Sequence, residues 1–335
     1  MDAKGQLFSL TVLIAMVGLL GLAACEPLVP TPTPQIIVIT ATPTVGPTVT
    51  PTPTLTPTPN VTATPTPSPA PTTSACGETE GQVIVFDTFQ SEVAGRNIPY
   101  RVYVPPCYFQ SQRRYPAVYL LHGASNDDTH WEDLGVVETL DRGLNLRLYP
   151  PMLLVMPYGA QLLPNSDFPP DPSMEAFLLE ELVPRVEHDF CVWEDREHRA
   201  IGGISRGGFW ALSIAFRHPE FFGVVGAHSP SLDTNQTPPE FNPLDLALNA
   251  PFLDTLRIYL DNGANDPVRP EVELLSNRLV QRRVPHEYVI NPLGEHVDAY
   301  WESHMADYLA FYGGTAGGGW PRDMSQLPSC LEPSP

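Results

Sequence analysis

The chain is most tightly constrained by residues 203–207, whose sequence Gly-Ile-Ser-Arg-Gly has the pattern G-x-S-x-G. Residues 198–202 before it predict a short buried strand, and the run of apolar and small residues at 208–216 predicts a helix. A sharp turn from strand to helix at a serine places the hydroxyl above the sheet, where it can act as a nucleophile. The alternative interpretation is a glycine-rich strand end with an exposed serine. We therefore predict an α/β fold in which Ser205 is the nucleophile.

A serine needs a neighbouring base to become nucleophilic, and five histidines follow Ser205 in the chain. His296 follows a strand predicted at 287–291 and precedes a helix predicted from residue 298. It therefore lies on a loop at the carboxyl end of a strand, where open α/β sheets bind their ligands. We predict that His296 is the base. His228 ends another predicted strand and is interpreted as a residue that lines the site.

The acid that orients the histidine is expected on the loop after the strand predicted at 256–260. That loop, residues 261–267, reads Asp-Asn-Gly-Ala-Asn-Asp-Pro and carries two carboxylates. Asp266, which follows the glycine turn, is the predicted acid. Asp261 is the first alternative, although a turn-capping role suits it better. Asp233, on the loop after the preceding strand, is the second alternative.

Stabilising an oxyanion requires two backbone N–H donors. The first is predicted to be the N–H of Arg206, the residue after the nucleophile. The second is predicted to be the N–H of Ala124, helped by Gly123, because the apolar strand at 116–122 ends in His-Gly just before it. His122 is interpreted as a structural residue that shapes this loop.

Substrate contacts are predicted at Gly123, Trp131 and His228. Aromatic side chains that suit an acyl pocket, and that also fit ordinary core or rim positions, are Trp131, Trp210, Phe168 and Tyr158. The proline-rich segment 161–171 is predicted to form a loop over the site. The identity of the acyl and alcohol parts of a substrate does not follow from these residues.

Alternation of strand-like and helix-like runs predicts one large α/β domain from residue 76 onward. Eight strands are predicted, at 82–88, 98–104, 116–122, 152–157, 199–204, 223–228, 256–260 and 287–291. Helices are predicted at 135–146, 174–189, 207–217, 270–283 and 298–312. The first two strands have no helix between them and should pair antiparallel, whereas the others should be parallel.

The stretch 81–312 resembles the putative-esterase family of α/β-hydrolases, which includes feruloyl esterases and esterase D-like enzymes. Besides Trp131, the matching segments are 116–123, 152–157, 177–184, 196–208 and His296 with Trp301. The resemblance implies an α/β-hydrolase fold, with a mostly parallel eight-stranded sheet and helices on both faces. It also implies Ser205 as nucleophile, Asp266 as acid and His296 as base. The sequence departs from the family at residues 294–298, Gly-Glu-His-Val-Asp, where a second glycine before the histidine and an aromatic residue after it are usual.

An apolar run from residue 7 to residue 24 follows a short start that carries Lys4 and is typical of a signal peptide. Its end, Leu-Ala-Ala-Cys, resembles the bacterial lipobox, in which the cysteine, here Cys25, becomes a lipidated N-terminus. Residues 1–24 are thus predicted to be a lipoprotein signal peptide. An uncleaved membrane anchor is the alternative. Both interpretations place the protein on the outer face of the membrane.

Residues 25–75 are rich in threonine and proline and are predicted to form a disordered, lipid-anchored linker before a catalytic domain at 76–335. Fully extended, the part from residue 27 to residue 74 would reach about 150 Å. The apolar segment 35–40 interrupts the linker and is predicted to be unstructured, with a docking strand as the alternative. Asn60 and Asn235 begin glycosylation sequons that are expected to be unused.

Four cysteines in the predicted domain suggest two disulfides in an oxidising compartment. Cys107 and Cys191 each precede a strand and are expected at the amino-end edge of the sheet, so we predict that they pair. Cys76 and Cys330 flank the domain and are predicted to form the second bridge. The cysteine spacings fit no zinc motif, so no metal is predicted.

The net charge of −20 argues against nucleic acid as a partner and disfavours anionic substrates. The sequence has no nucleotide-binding fingerprint, so no cofactor is predicted. Together with the resemblance, these features imply a membrane-tethered serine esterase that hydrolyses carboxylic esters, including acyl groups on sugars. An acyltransferase with the same triad and a catalytically inactive glycan-binding module are the alternatives. The oligomeric state is not predicted.

Overall fold

The strands of the sheet form where β-branched and aromatic residues are concentrated, as expected from their fit to a pleated surface. A computed structural model describes residues 35–39, 76–232, 237–314 and 319–331. Within them, the strands are β1 (Gln35–Ile39), β2 (Gln82–Phe86), β3 (Gln90–Ser91), β4 (Arg96–Asn97), β5 (Tyr100–Val104), β6 (Ala117–Leu121), β7 (Leu153–Pro157), β8 (Arg199–Ile204), β9 (Val224–His228), β10 (Arg257–Gly263) and β11 (His286–Asn291). The eight strands predicted from the sequence are all present.

Nine strands form one sheet in the order β1-β11-β10-β9-β8-β6-β7-β5-β2, and β3 pairs with β4 in a separate hairpin. β6 to β11 are parallel to one another where they pair. β2 pairs antiparallel with β5, and β5 antiparallel with β7, which confirms the predicted mixed sheet. The parallel strands all direct their carboxyl ends toward one edge, where the loops that contain Ser205, Asp266 and His296 begin.

Helices connect the parallel strands. Those in the described residues are α1 (Tyr108–Ser111), α2 (His130–Asp133), α3 (Val136–Asn145), α4 (Met174–Ala176), α5 (Val183–Asp189), α6 (Arg206–Arg217), α7 (Pro243–Asn249), α8 (Arg269–Gln281), α9 (Asp298–Ser303) and α10 (Met305–Gly313). A π-helical segment, Phe177–Leu182, joins α4 to α5. None of the helices in the described part of the chain has the length and apolar character needed to cross a membrane.

Helices cover both faces of the sheet, as predicted. Alternate residues of a strand point to opposite faces, and on β6 Tyr119 and Leu121 belong to one buried apolar cluster, whereas Val118 and Leu120 belong to the other. The first cluster includes α6 and α8, and the second includes α3 and α10. Because both faces are buried, the central strands are apolar along their whole length rather than alternating.

The segment at residues 35–39 is a strand, so the prediction that it is unstructured is wrong. β1 pairs antiparallel with β11 over its whole length, from Gln35 opposite Ile290 to Ile39 opposite His286. The physical reason is that β11 would otherwise be an edge strand with unpaired N–H and C=O groups, and an apolar, β-branched segment is well suited to cover it. The other predicted features before residue 76, including the signal peptide, Cys25 and the rest of the linker, lie outside the described residues, as do Asp233 and Asn235.

The disulfides differ from the predicted pairing. Cys76 is bonded to Cys107 and Cys191 to Cys330, with Cα–Cα distances of 5.8 and 5.7 Å. The segments around Cys76 and Cys330 are held beside their partners by hydrogen bonds that the sequence does not reveal. Glu78 accepts the N–H of Cys107 at 2.8 Å, and the N–H groups of Arg114 and Cys330 bind the carbonyls of Pro328 and Gln112. Each bridge thus joins a segment that flanks the predicted domain, at Cys76 or at Cys330, to a residue that lies between strands.

We expect the bridge between Cys191 and Cys330 to stabilise the fold more than the bridge between Cys76 and Cys107. The two bridges span 139 and 31 residues, respectively. The chain-entropy model gives stabilisations of about 5 and about 4 kcal/mol, because a longer loop loses more freedom in the unfolded state. Urea unfolding of the two double Cys→Ser variants measures both free energies. Equal losses, or a larger loss for the shorter loop, would contradict this ranking.

Candidate active site

The turn between β8 and α6 places Ser205 at the carboxyl edge of the sheet. Its φ of 55° is positive, an uncommon conformation for a residue with a side chain, which marks a strained turn. A Cβ on Gly203 would lie 2.2 Å from the carbonyl carbon of Gly207, and one on Gly207 would lie 2.5 Å from the carbonyl oxygen of Leu121. Glycine is therefore required at both positions by close backbone approach rather than by backbone conformation.

The structure brings together the three side chains that the sequence analysis selected. Nε2 of His296 lies 2.9 Å from the hydroxyl oxygen of Ser205. Nδ1 of His296 lies 3.1 Å from each carboxylate oxygen of Asp266. The hydroxyl, imidazole and carboxylate thus form one hydrogen-bonded chain, although Ser205 and His296 are separated by 91 residues in the sequence. The His296 side chain is 25% exposed, which leaves it accessible from solvent.

Asp266 is almost fully buried and yet suited to carry a negative charge. Burial raises the pKa of its carboxyl, but hydrogen bonds from His296 and from the N–H of Val268 outweigh burial and hold that pKa below its ordinary value. An ionised carboxylate in this position accepts the Nδ1–H of the imidazole, which leaves Nε2 unprotonated toward the serine hydroxyl. The arrangement can therefore remove a proton from Ser205.

The loop after β6 is held by two histidines. The Nε2 of His122 accepts the N–H of Gly159 at 2.8 Å, so its Nδ1–H donates to the carbonyl of Gly123 at 2.6 Å. Burial lowers the pKa of His122, in keeping with this neutral form. The N–H of Gly123 donates to Nδ1 of His130 at 3.4 Å. Since the N–H of Gly123 is engaged, Ala124 is the better candidate for the oxyanion donor from this loop.

Arg206 begins α6, and the first N–H groups of a helix lack intrahelical acceptors and point out of its N-terminus. The backbone N–H of Arg206 therefore suits an anion beside Ser205. Its guanidinium is directed elsewhere, because it donates to the carbonyls of Leu163 and Asn165. The indole of Trp210 also donates to Leu163, at 2.8 Å. These bonds fix the loop that follows β7.

Trp131 and His228, which were predicted to contact substrate, are buried in the core instead. Trp131 is 1% exposed, and its indole N–H donates to the carbonyl of Leu121. His228 is fully buried, and its imidazole bonds the carboxylate of Asp261 and the hydroxyl of Tyr312. Both predictions placed these residues near the carboxyl edge correctly but could not tell on which side of the backbone their side chains lie.

Asp261, the alternative acid, belongs to the same buried network and not to the site at Ser205. Besides His228, its carboxylate accepts the hydroxyl groups of Tyr300 at 2.6 Å and Tyr308 at 3.0 Å. The ring of Tyr308 stacks on His228 with a centroid separation of 3.6 Å. The network lies directly beneath the nucleophile, because the carbonyl of His228 accepts the N–H of Ser205.

Replacing Asp261 with alanine is expected to lower the free energy of unfolding by about 3–5 kcal/mol. The substitution leaves the Tyr300 and Tyr308 hydroxyls and the His228 imidazole without their shared acceptor in a fully buried site. Urea unfolding measures the change, and Asp254→Ala, at an exposed position, serves as the control. A loss no larger than that of the control would show that the network contributes nothing.

Three residues that lie beside Ser205 and His296 were not among the site residues predicted from the sequence. His130 contacts the loop after β6, Asp298 contacts His130, and Trp301 lies edge-on to both His130 and His296, at centroid distances of 6.1 and 5.1 Å. Trp301 was recognised only as part of the resemblance. The signal available in the sequence was the departure at Asp298, two residues after His296.

Of the other aromatic candidates, Trp210 is fully buried and Phe168 stacks on Phe241, so both contribute to the core. Tyr158 is partly buried and stacks on the ring of His122, beside the loop after β6.

Within the described residues, the side chains whose arrangement most resembles a metal site are those of Cys76, Glu78 and Cys107. The two sulfur atoms are joined in a disulfide and so cannot act as thiolate ligands.

Comparison with known families gives a match along most of the domain. The family model described as "Putative esterase" matches residues 91–312, which is more than half of the chain. The chain belongs to this esterase family. The match includes all three residues of the hydrogen-bonded chain at Ser205.

Curated relatives of this chain are similar to it over part of their length. An endo-1,4-beta-xylanase/feruloyl esterase of Xylanibacter ruminicola is 32% identical over 154 residues, which are 42% of this chain and 20% of the relative. An esterase of Mycobacterium tuberculosis is 32% identical over 146 residues, which are 42% of this chain and 31% of the relative. An iron(III) salmochelin esterase of Escherichia coli is 27% identical over 66% of this chain and 56% of the relative. The chain thus spans between a fifth and just over half of these relatives.

Solved structures show that the chain has the α/β-hydrolase fold, as predicted. A ferulic acid esterase superposes with a TM-score of 0.63 at 23% identity, over 70% of this chain and 98% of that one. An S-formylglutathione hydrolase from Staphylococcus aureus superposes with a TM-score of 0.61 at 18% identity, over 69% and 98% of the two chains.

Proposed function

We propose that the protein is a serine esterase that hydrolyses carboxylic esters through an acyl-enzyme. The observation that carries the proposal is the pair of contacts made by His296, 2.9 Å to the Ser205 hydroxyl and 3.1 Å to the Asp266 carboxylate. Membership of the esterase family supports the same reaction. Ser205 is the nucleophile, His296 the general base and Asp266 the residue that orients the imidazole.

In the first half of the reaction, the Ser205 oxygen attacks the ester carbonyl as His296 takes its proton. The carbonyl oxygen becomes an oxyanion, stabilised by the N–H groups of Arg206 and Ala124. Asp266 stabilises the imidazolium that forms. His296 then gives the proton to the departing alcohol, which leaves an acyl group on Ser205.

In the second half, His296 removes a proton from water as its oxygen attacks the acyl carbonyl, and the imidazolium then returns that proton to the Ser205 oxygen as the acyl–serine bond breaks and the acid leaves. The partial exposure of His296 provides the access that water needs. Loss of either oxyanion donor would cost about 10²–10³-fold in rate by analogy with other acyl-transfer enzymes. The site needs no cofactor for this chemistry.

The substrates we propose are neutral esters of small acyl groups, including those carried on sugars or polysaccharides. A relative named as a feruloyl esterase and the fold shared with a ferulic acid esterase support this class. The net charge of −20 disfavours strongly anionic esters. We also propose that the enzyme works outside the cytoplasm, because its two disulfides suit an oxidising compartment. The lipobox resemblance at residues 22–25 supports the further proposal that lipid at Cys25 attaches it to the membrane.

Fluorophosphonate labelling tests the assignment of the nucleophile directly. The reagent should attach to the peptide that contains Ser205, and attachment should fall to background after heat denaturation. A panel of p-nitrophenyl acyl esters and of feruloylated and acetylated sugars then defines the substrate class. Labelling at another serine, or absence of hydrolysis of every ester, would contradict the proposal.

A further inference from the structure

A second His–Asp pair lies beside the proposed triad. His130 is 3% exposed, and its Nε2 lies 3.1 Å from a carboxylate oxygen of Asp298. Its Nδ1 accepts the N–H of Gly123, which fixes the tautomer: Nε2 carries the proton and donates it to Asp298. The pair therefore joins the loop after β6 to the first residue of α9, across 168 residues of sequence.

The loop after β6 is held at both peptide groups around Gly123. The carbonyl of Gly123 accepts the Nδ1–H of His122 at 2.6 Å and the N–H of Asn126 at 3.1 Å. In a trans peptide the N–H of the next residue points opposite to the carbonyl, so these two donors set the direction of the Ala124 N–H. His130 holds the preceding peptide through the N–H of Gly123. Both sides of Gly123 are thus restrained.

Asp298 connects this loop to the loop of the base, because it follows His296 by two residues. Trp301, one turn later on α9, makes edge-on contacts with the rings of both His296 and His130. The side chain of Asp298 is 65% exposed, so its contact with His130 contributes little to the core. An exposed carboxylate that binds a buried histidine beside a reactive site is better explained by positioning than by stability.

We propose that Asp298 and His130 are positioning residues that hold the oxyanion donor Ala124 in register with His296. The inference rests on the proposed esterase reaction and assigns a role to two residues outside the triad. Breaking the contact lets the Ala124 N–H drift from the developing oxyanion. The cost falls on the transition state, in which the negative charge is present, rather than on the ground-state ester.

The test uses Asp298→Ala, Asp298→Asn and, as a matched control, Glu302→Ala, which removes one exposed carboxylate from the same helix. Active sites are counted by fluorophosphonate titration, so that kcat refers to competent molecules only. We expect Asp298→Ala to lower kcat about tenfold, less than the loss of a whole oxyanion donor. KM should stay within about twofold, and affinity for a boronic acid that forms a tetrahedral adduct should fall in step with kcat.

Asp298→Asn keeps an oxygen that accepts the Nε2–H of His130, so it should restore most of the lost kcat. If kcat of Asp298→Asn is as low as that of Asp298→Ala, the proposal is overturned, because loss of the negative charge alone would then explain the effect. Equal kcat and boronate affinity for Asp298→Ala and Glu302→Ala would also overturn it.

Amide hydrogen exchange provides a measurement that does not depend on esterase activity. Exchange in the peptide covering residues 122–130 should be faster in Asp298→Ala than in Glu302→Ala, and unchanged exchange would refute the contact as a restraint. Wild-type protein that hydrolyses no ester would instead contradict the proposed function, while this exchange experiment still decides whether the contact restrains the loop.

Discussion

Ser205→Ala is expected to reduce kcat for ester hydrolysis by about 10⁴–10⁶-fold, to a residual rate set by binding and the oxyanion donors. The substitution removes the only atom that forms the covalent bond to the acyl group, and neither His296 nor a water held by it replaces that atom. KM should change little, because the ground-state ester does not depend on the hydroxyl. Steady-state kinetics with the best ester of the panel measures both constants.

The fold should survive this substitution. Ser205 is partly exposed and its hydroxyl is hydrogen-bonded to His296, so alanine leaves no buried polar atom unpaired in the core. Ser303→Ala, at an exposed position on α9, is a suitable control and should retain full activity. Esterase activity of Ser205→Ala near that of the control would place the reaction at another site.

Asp266→Asn should lower kcat by about 10⁴-fold while leaving the fold intact. An asparagine oriented with its N–H₂ group toward Nδ1 favours the imidazole tautomer that carries its proton on Nε2, the nitrogen that must accept the serine proton. The pKa of Asp266 is held below its ordinary value, so the wild-type carboxylate provides its negative charge throughout the neutral range. Kinetics together with thermal unfolding separate this effect from a loss of stability.

The comparison with Asp261→Asn makes the experiment decisive, because Asp261 lies near the end of β10 and Asp266 lies on the loop that follows the same strand. Asp261 accepts three buried donors away from Ser205, so its asparagine variant should lose stability. Per active site, however, Asp261→Asn should keep kcat within a few-fold of wild type. A large loss of kcat per active site in Asp261→Asn, with Asp266→Asn active, would exchange the roles of the two residues.

Motifs and loop order were sufficient to predict which side chains meet at Ser205. The carboxyl ends of parallel strands share one edge, so a serine, an aspartate and a histidine on three such loops converge whatever their separation in sequence. The same logic selected Ala124, because its position after β6 follows from strand order. What sequence patterns specify is therefore the edge of the sheet and the loop that a residue occupies.

Side-chain direction and pairing between distant segments were not predictable in the same way. His228 and Trp131 lie near the correct edge but point into the core, where Tyr308 and Tyr312 of α10 contact His228. The disulfides depend on where the segments around Cys76 and Cys330 run along the sheet, and hydrogen bonds of Glu78 and Cys330 hold those segments in place. The bond between His130 and Asp298 needs the spatial proximity of two loops that no local pattern links.

The pairing of β1 with β11 determines from which direction the chain enters the domain. Because the two strands are antiparallel, Gln35 lies opposite Ile290, at the end of β11 that leads into the loop of His296. With lipid attached at Cys25, as we propose, only about ten residues separate the bilayer from that entry point, a span of at most about 35 Å. A tether joined to the domain at this edge would limit how far Ser205 can move from the lipid, without fixing the direction in which the edge faces.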